Sequence, residues 1–113
     1  MAKATKETRI KKEKKRLEKI VADLDPNKLE TVKALIDRAA FITVSIQDIE
    51  DELLRSGWTE EYQNGANQQG VKKSAAADVH ISLTKNLTAI LKQLVEIVPP
   101  AQRKSKLEEL RNK

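Results

Sequence analysis

The chain has 113 residues, a net charge of +5 and no cysteine. This length suits one domain with a modest core, and the lack of cysteine excludes disulfides, thiolate metal sites and thiol nucleophiles. Aromatic residues make up 3% of the chain, too few for a platform on which single-stranded bases would stack.

The first predicted element is a basic N-terminal helix that extends to about residue 24. Residues 1–20 hold nine Lys or Arg and three Glu, so this segment carries +6 and the remainder carries −1. Its apolar residues become denser over 17–24, so we expect a helix anchored there, with a solvated or frayed front half.

The cations of this helix are candidates for contacts with DNA phosphates, because binding releases the counterions condensed on the duplex. A solubilising tail with no role in DNA binding is the alternative. The candidate DNA-binding residues of this segment are Arg9, Lys11, Lys12, Lys14, Lys15, Arg16 and Lys19.

The second element is a helix of about 30 residues that begins at Asp25-Pro26, an N-cap followed by proline at the first helical position. Apolar residues at steps of three and four continue through it to Leu53. Residues 41–44 are rich in strand-favouring side chains, so a short strand is the rival interpretation. Gly57 is placed to end the helix in a left-handed conformation.

Residues 57–73 are predicted to form a loop, since they contain all three glycines and the turn dipeptide Asn64-Gly65. The only Trp and Tyr also lie here. Trp58 and Tyr62 either close the end of the helical pair or anchor a neighbouring subunit. Lys72 and Lys73, just before the next helix, are a second phosphate-binding candidate.

The third element is a helix that Ser74 caps and Pro99-Pro100 ends. Its apolar face must cover that of the second helix, which predicts a long antiparallel helical hairpin. The predicted fold is therefore all-α: a basic helix over 1–24, a hairpin over 25–100 and a mixed-charge tail over 101–113, in which Leu107 and Leu110 support a short helical turn.

We expect the apolar surface that the hairpin leaves uncovered to join copies of the chain into a helical oligomer. The residues predicted for this oligomer interface are Leu29, Val32, Ile36, Ile42, Ile46, Ile49, Leu53, Trp58, Tyr62, Leu83, Leu87, Ile90 and Leu94.

The sequence predicts no catalytic residue, metal ligand or cofactor. His80 is the only histidine, and a metal site needs several ligands at matched spacing. The acidic run Asp48, Glu50, Asp51 and Glu52 is better explained as a solvated face than as a nuclease site, because consecutive helical residues point in different directions.

The N-terminal segment is charged throughout, without the apolar core of a signal peptide. No apolar run approaches the ~20 residues that a membrane-spanning helix needs. We therefore expect a cytoplasmic protein with no membrane partner and no small-molecule substrate.

Several short motifs resemble the small terminase subunits of phages, in the P27-like group. They are Ile36-Asp37-Arg38-Ala39-Ala40-Phe41 on the long helix, the turn Tyr62-Gln63-Asn64-Gly65, the cap Gly70-x-x-Lys73-Ser74, and the segment 95–100 that ends in two prolines. The similarity spans residues 25–103, and the segment before it matches only in being basic and helical.

This resemblance implies a non-enzymatic protein that recognises viral double-stranded DNA for genome packaging. It also implies a ring-like homo-oligomer that regulates a large subunit carrying the ATPase and the nuclease. By analogy, the two long helices build the oligomer and the N-terminal helix meets DNA. The alternative is a small helical adaptor or structural protein whose basic end only aids solubility.

Overall fold

The computed structural model describes residues 5–63, 69–98 and 108–111. These ranges are mostly helical. The elements are α1 (Lys6–Ile20), α2 (Pro26–Ser56), β1 (Thr59–Gln63), β2 (Gln69–Lys73) and α3 (Ala75–Ile97), and a helical turn follows at 108–111.

Each helix begins at a side chain that accepts a hydrogen bond from the first turn. Thr5 accepts from the amide of Thr8, and Ser74 accepts from that of Ala77. Asp25 accepts from the amide of Asn27, and Pro26 occupies the first helical position as predicted. These caps satisfy amides that have no partner within the helix.

Gly57 ends α2 with a positive φ, as the sequence predicts, but not in the left-handed helical conformation. Its φ of 84° is combined with a ψ of 168°, a region that is essentially restricted to glycine. Its amide still donates to the carbonyl of Leu53 at 2.8 Å. The chain can therefore leave α2 and enter β1 within two residues.

Helix α2 is continuous through residues 41–44, so the rival strand interpretation is wrong. It lies between α1 and α3, and consecutive residues are therefore buried around its circumference. Ala39 and Ala40 are fully buried, and Ile42, Thr43, Val44 and Ser45 are buried as well. Burial on two sides accounts for a helix that lacks a polar face here.

Helices α2 and α3 run antiparallel and form the predicted helical hairpin. Glu50 near the end of α2 contacts His80 near the start of α3. The main core combines residues from the helices with those of the 21–24 turn and the 108–111 turn; its members are Leu17, Ile20, Val21, Leu24, Val32, Ile36, Ala39, Ile42, Ile90, Leu94, Val98 and Leu110.

Helix α1 packs along the other side of α2, also antiparallel. Arg9 lies near Asp48 and Lys14 lies near Asp37, so later residues of α1 lie beside earlier residues of α2. Leu17, Ile20 and residues 21–24 are anchored as predicted. The front half is helical from Lys6, and its lysines at 11, 12 and 15 are exposed, whereas Arg9 is part-buried against α2.

The prediction of an unstructured loop over 57–73 is wrong within the described residues. Strands β1 and β2 pair antiparallel, with Thr59 opposite Lys73 and Glu61 opposite Val71. The amide of Ser74 extends the ladder by donating to the carbonyl of Trp58 at 3.0 Å. The β-hairpin is thus an addition to the all-α fold that the sequence predicts.

Some predictions fall outside the described part of the chain. They are the Asn64-Gly65 turn, the helix stop at Pro99-Pro100, the side chain of Tyr62 and Leu107 of the tail. The predicted turn in the tail is present at 108–111, where Leu110 is buried against the core. Among the helices of the described residues, none combines the length and the apolar character that crossing a membrane requires.

Candidate nucleic-acid interface

The cations of α1 divide between an inner and an outer face. The inner face lies against α2, and its apolar anchor Leu17 is 2% exposed. Arg9 and Lys14 lie at the edges of this face and reach carboxylates of α2. The cations of the outer face are all lysines, and Glu7 and Glu18 are also exposed on α1. The two faces have different chemistry and are described in turn.

Arg9 is held by two side chains of α2. Its guanidinium donates to a carboxylate oxygen of Asp48 at 2.5 Å and to the amide oxygen of Gln47 at 3.0 Å. The contact is part-buried, so solvent screens it less than a fully exposed pair. Lys14 pairs with Asp37 at 3.0 Å. Both predicted DNA-binding residues therefore already have an anionic partner in the chain.

Arg16 links α1 to the turn at 108–111. Its guanidinium pairs with Glu13 one turn earlier on α1 and donates to the backbone carbonyl of Glu109 at 3.4 Å. An open groove of about 530 Å³ lies here; it is lined by Lys12, Lys15, Arg16, Lys19, Ile20 and Glu109. Four of its six lining residues are cationic, so the groove is suited to an anion.

Four lysines remain on the outer face of α1. Lys11, Lys12, Lys15 and Lys19 are exposed and form no ion pair with any described residue. Steps of four place three of them on one stripe, and Lys12 lies beside it. From Lys11 to Lys19 the stripe is about 12 Å long at 1.5 Å per residue. It is the densest set of free positive charge within residues 5–63, 69–98 and 108–111.

The second predicted phosphate site, Lys72 and Lys73, lies on β2 rather than in a loop. Lys72 pairs with Glu60 of β1 at 3.5 Å, and Lys73 pairs with Asp78 in the first turn of α3 at 3.3 Å. These lysines belong to a different element from the lysine stripe of α1, and each is paired with a carboxylate. The hairpin is therefore a poorer site for phosphate than the lysine stripe.

Many residues predicted for an oligomer interface are buried within the single chain, so they pack against its own helices. They are Val32, Ile36, Ile42, Leu53, Ile90 and Leu94. Leu29, Ile46, Leu83 and Leu87 are partly buried and pack against the same core, and Ile49 is also partly buried. The reason is that α1 and α3 both cover α2, which leaves its apolar face little access to another copy.

Other apolar residues are exposed, and most lie near the β-hairpin. Leu54 is 84% exposed, Val71 64%, Trp58 51%, Val79 46% and Ile81 39%. Of these, only Trp58 was predicted as an interface residue. Leu54 and Ile81 lie beside the apolar stripes of their helices, which was the available signal, whereas the three-and-four spacing places Val79 within the stripe of α3 although it is exposed.

The residues considered for catalysis are engaged with separate neighbours. His80 contacts Glu50 at 3.2 Å, and its ring lies nearly perpendicular to that of Trp58, with centroids 5.3 Å apart. Arg55 and Ser56 donate hydrogen bonds to the carboxylate of Glu52 and hold its pKa below the usual value. The hydrogen bond from Arg55 has the larger effect. No group of three or more potential metal ligands occurs among the described residues.

Comparison with known proteins gave no match: no family model, curated protein or solved structure is significantly similar to this chain.

Proposed function

We propose that the chain is a non-catalytic subunit that binds double-stranded DNA through the outer face of α1. The observation that carries the proposal is the stripe of Lys11, Lys12, Lys15 and Lys19, exposed and unpaired within the described residues. One strand of a duplex presents a phosphate about every 3.4 Å along the helix axis. A stripe of about 12 Å therefore faces three or four phosphates.

The contact would position the protein on DNA without selecting a sequence, because lysines on phosphates read no base edges. The resemblance to small terminase subunits adds the biological setting. In that setting the chain binds viral DNA in the host cytoplasm, forms a homo-oligomer, and recruits or regulates a large subunit that performs packaging. No cofactor is needed for this role.

The direct test is the salt dependence of binding to a labelled duplex, measured by fluorescence anisotropy. Three or four phosphate contacts predict a slope of log K against log salt near −3 to −4 for one copy of the chain. Binding that is absent, or that does not change with salt, would refute the proposal. With self-association retained, that result would favour the adaptor alternative.

The ion pairs beneath α1 should limit DNA binding, because Asp37 and Asp48 compete with phosphate for Lys14 and Arg9. We expect the double variant Asp37→Asn/Asp48→Asn to bind DNA about 3- to 10-fold more tightly, since each released cation adds up to one phosphate contact. The same titration should give a steeper salt slope. Stability should fall by no more than ~1 kcal/mol per pair, because these pairs are partly solvated.

The matched control removes the same charge from two exposed acids that lie elsewhere, in Glu30→Gln/Glu61→Gln. This variant should gain less affinity and keep the wild-type salt slope, because it changes only the overall field of the protein. Equal gains in the two variants would show that net charge alone, and not release of Arg9 and Lys14, determines the affinity.

A further inference from the structure

The β-hairpin is a two-stranded ribbon with no third strand among the described residues. Within the described ranges the sheet consists of β1 and β2, and the helices pack mainly with one another. An isolated two-stranded ribbon is marginally stable in water. Both of its edges also present backbone groups that can pair with another strand. The ribbon is therefore the part of this fold that would gain most from a partner.

The two edges of the ribbon carry opposite charge. Strand β1 contains Glu60 and Glu61, and strand β2 contains Lys72 and Lys73. Opposite charges on facing strands stabilise a pair of strands, and like charges destabilise it. A β1 edge therefore suits a β2 edge of another molecule, whereas β1 against β1 or β2 against β2 is disfavoured.

The register identifies which backbone groups face outward. In an antiparallel ladder, pairs that exchange hydrogen bonds alternate with pairs that do not. Ser74 donates to Trp58, so Trp58 and Ser74 form a bonded pair and every second pair from there is bonded. Glu61 and Val71, which lie opposite each other, therefore direct their amides and carbonyls away from the ribbon. Each edge thus has backbone groups available for another strand.

Exposed apolar side chains lie along the same end of the molecule. Val71 is on β2, Leu54 is in the last turn of α2, and Val79 and Ile81 are in the first two turns of α3; all four are exposed. A neighbour that paired with the ribbon would cover part of this surface. Val79 and Ile81 are two residues apart on α3 and point to different sides, so these side chains do not form one patch, and the proposal rests on the strand edges and their charges.

We propose that the ribbon joins this chain to a second copy of itself, with the β1 edge of one molecule paired to the β2 edge of the next. The contact is heterologous, because two different edges meet, and such contacts close into rings or continue as filaments. It differs from the helix-built interface expected from the sequence. It also goes beyond the proposed DNA binding and does not depend on it.

Two charge-reversal variants test the pairing between molecules. Glu60→Lys/Glu61→Lys makes both strands basic, and Lys72→Glu/Lys73→Glu makes both strands acidic. Each variant alone should need at least about a tenfold higher concentration to assemble, because like charges then face each other across every junction. Sedimentation velocity over a range of concentrations measures this shift.

An equimolar mixture of the two variants should assemble within about threefold of the wild-type concentration, because every junction again joins opposite charges. Mixing cannot repair the like charges within each hairpin, so recovery reports contacts between molecules. The control pair is Glu18→Lys/Glu30→Lys and Lys33→Glu/Lys85→Glu, which should assemble alone as the wild type does. A mixture that stays dissociated, or variants that assemble normally alone, would overturn the proposal.

A second measurement uses the wild-type chain and needs no variant. The amides of Glu61 and Val71 should exchange with solvent freely in dilute protein and at least about tenfold more slowly once the chain has assembled. Exchange that remains fast in assembled protein would overturn the proposal, as would a monomer at every concentration. Neither readout involves DNA, so a failure here is separate from a failure of the proposed DNA binding, which the salt-dependent titration tests.

Discussion

Replacing Lys11, Lys12, Lys15 and Lys19 together with glutamine is expected to weaken binding to double-stranded DNA by on the order of 10²- to 10³-fold at ~0.1 M salt. Each lysine that contacts a phosphate releases about one counterion, so the salt slope should become shallower by about three to four. Anisotropy titrations of one labelled duplex at several salt concentrations measure both quantities.

The fold should tolerate these four substitutions. All four lysines are exposed and have no ion-pair partner within the described ranges, and glutamine has a helix propensity close to that of lysine. Thermal unfolding should therefore change little. A loss of affinity without a loss of stability assigns the effect to the interface rather than to the structure of α1.

The control variant removes four exposed lysines from the other two long helices: Lys28, Lys33, Lys85 and Lys92. It has the same net charge as the test variant, so the two differ only in where the charge is removed. An equal loss of affinity in both variants would show that the DNA affinity depends only on the net charge of the protein. No loss in the test variant would mean that the basic segment is a solubilising tail.

The helical part of this fold could be predicted because its signals are local. The three-and-four spacing of apolar residues runs through 41–44 of α2, and it outweighs the strand preference of Phe41, Thr43 and Val44, since burial decides the structure of such residues. The caps at Asp25 and Ser74 and the helix end at Gly57 also follow from short-range chemistry.

The β-hairpin could not be recognised by alternation, because Thr59–Gln63 and Gln69–Lys73 lack the apolar and polar pattern of a half-buried strand. Among the residues whose burial is described, neither strand contributes to the core, so nothing there imposes such a pattern. The signal that remained was the Asn64-Gly65 dipeptide between two segments of equal length, which favours a tight turn.

The sequence also could not predict which cations of α1 pair with α2 and which are exposed. Arg9 and Asp48 are 39 residues apart, and their contact depends on the direction in which α1 crosses α2. The apolar stripe of α2 does not tell which helix covers it, because packing against a helix of the same chain and packing against a helix of another copy require the same apolar residues. Here the chain's own α1 and α3 cover that stripe.

Replacing Leu17 with alanine is expected to lower the free energy of unfolding by about 2–5 kcal/mol. Leu17 is among the largest fully buried side chains, and it lies where α1 meets the main core. Truncation leaves a cavity at the anchor of α1. Urea unfolding followed by circular dichroism measures the loss, which is a large share of the stability of a domain of this size.

Leu54→Ala is the matched control, because it removes the same atoms from a leucine that is 84% exposed. Below the assembly concentration it should change stability by no more than about 0.5 kcal/mol. Since the outer lysines do not depend on the anchor, Leu17→Ala should keep most of its DNA affinity under conditions where it remains folded. If Leu17→Ala costs no more than Leu54→Ala, α1 does not pack on α2 in solution, and its inner cations are as available to phosphate as its outer ones.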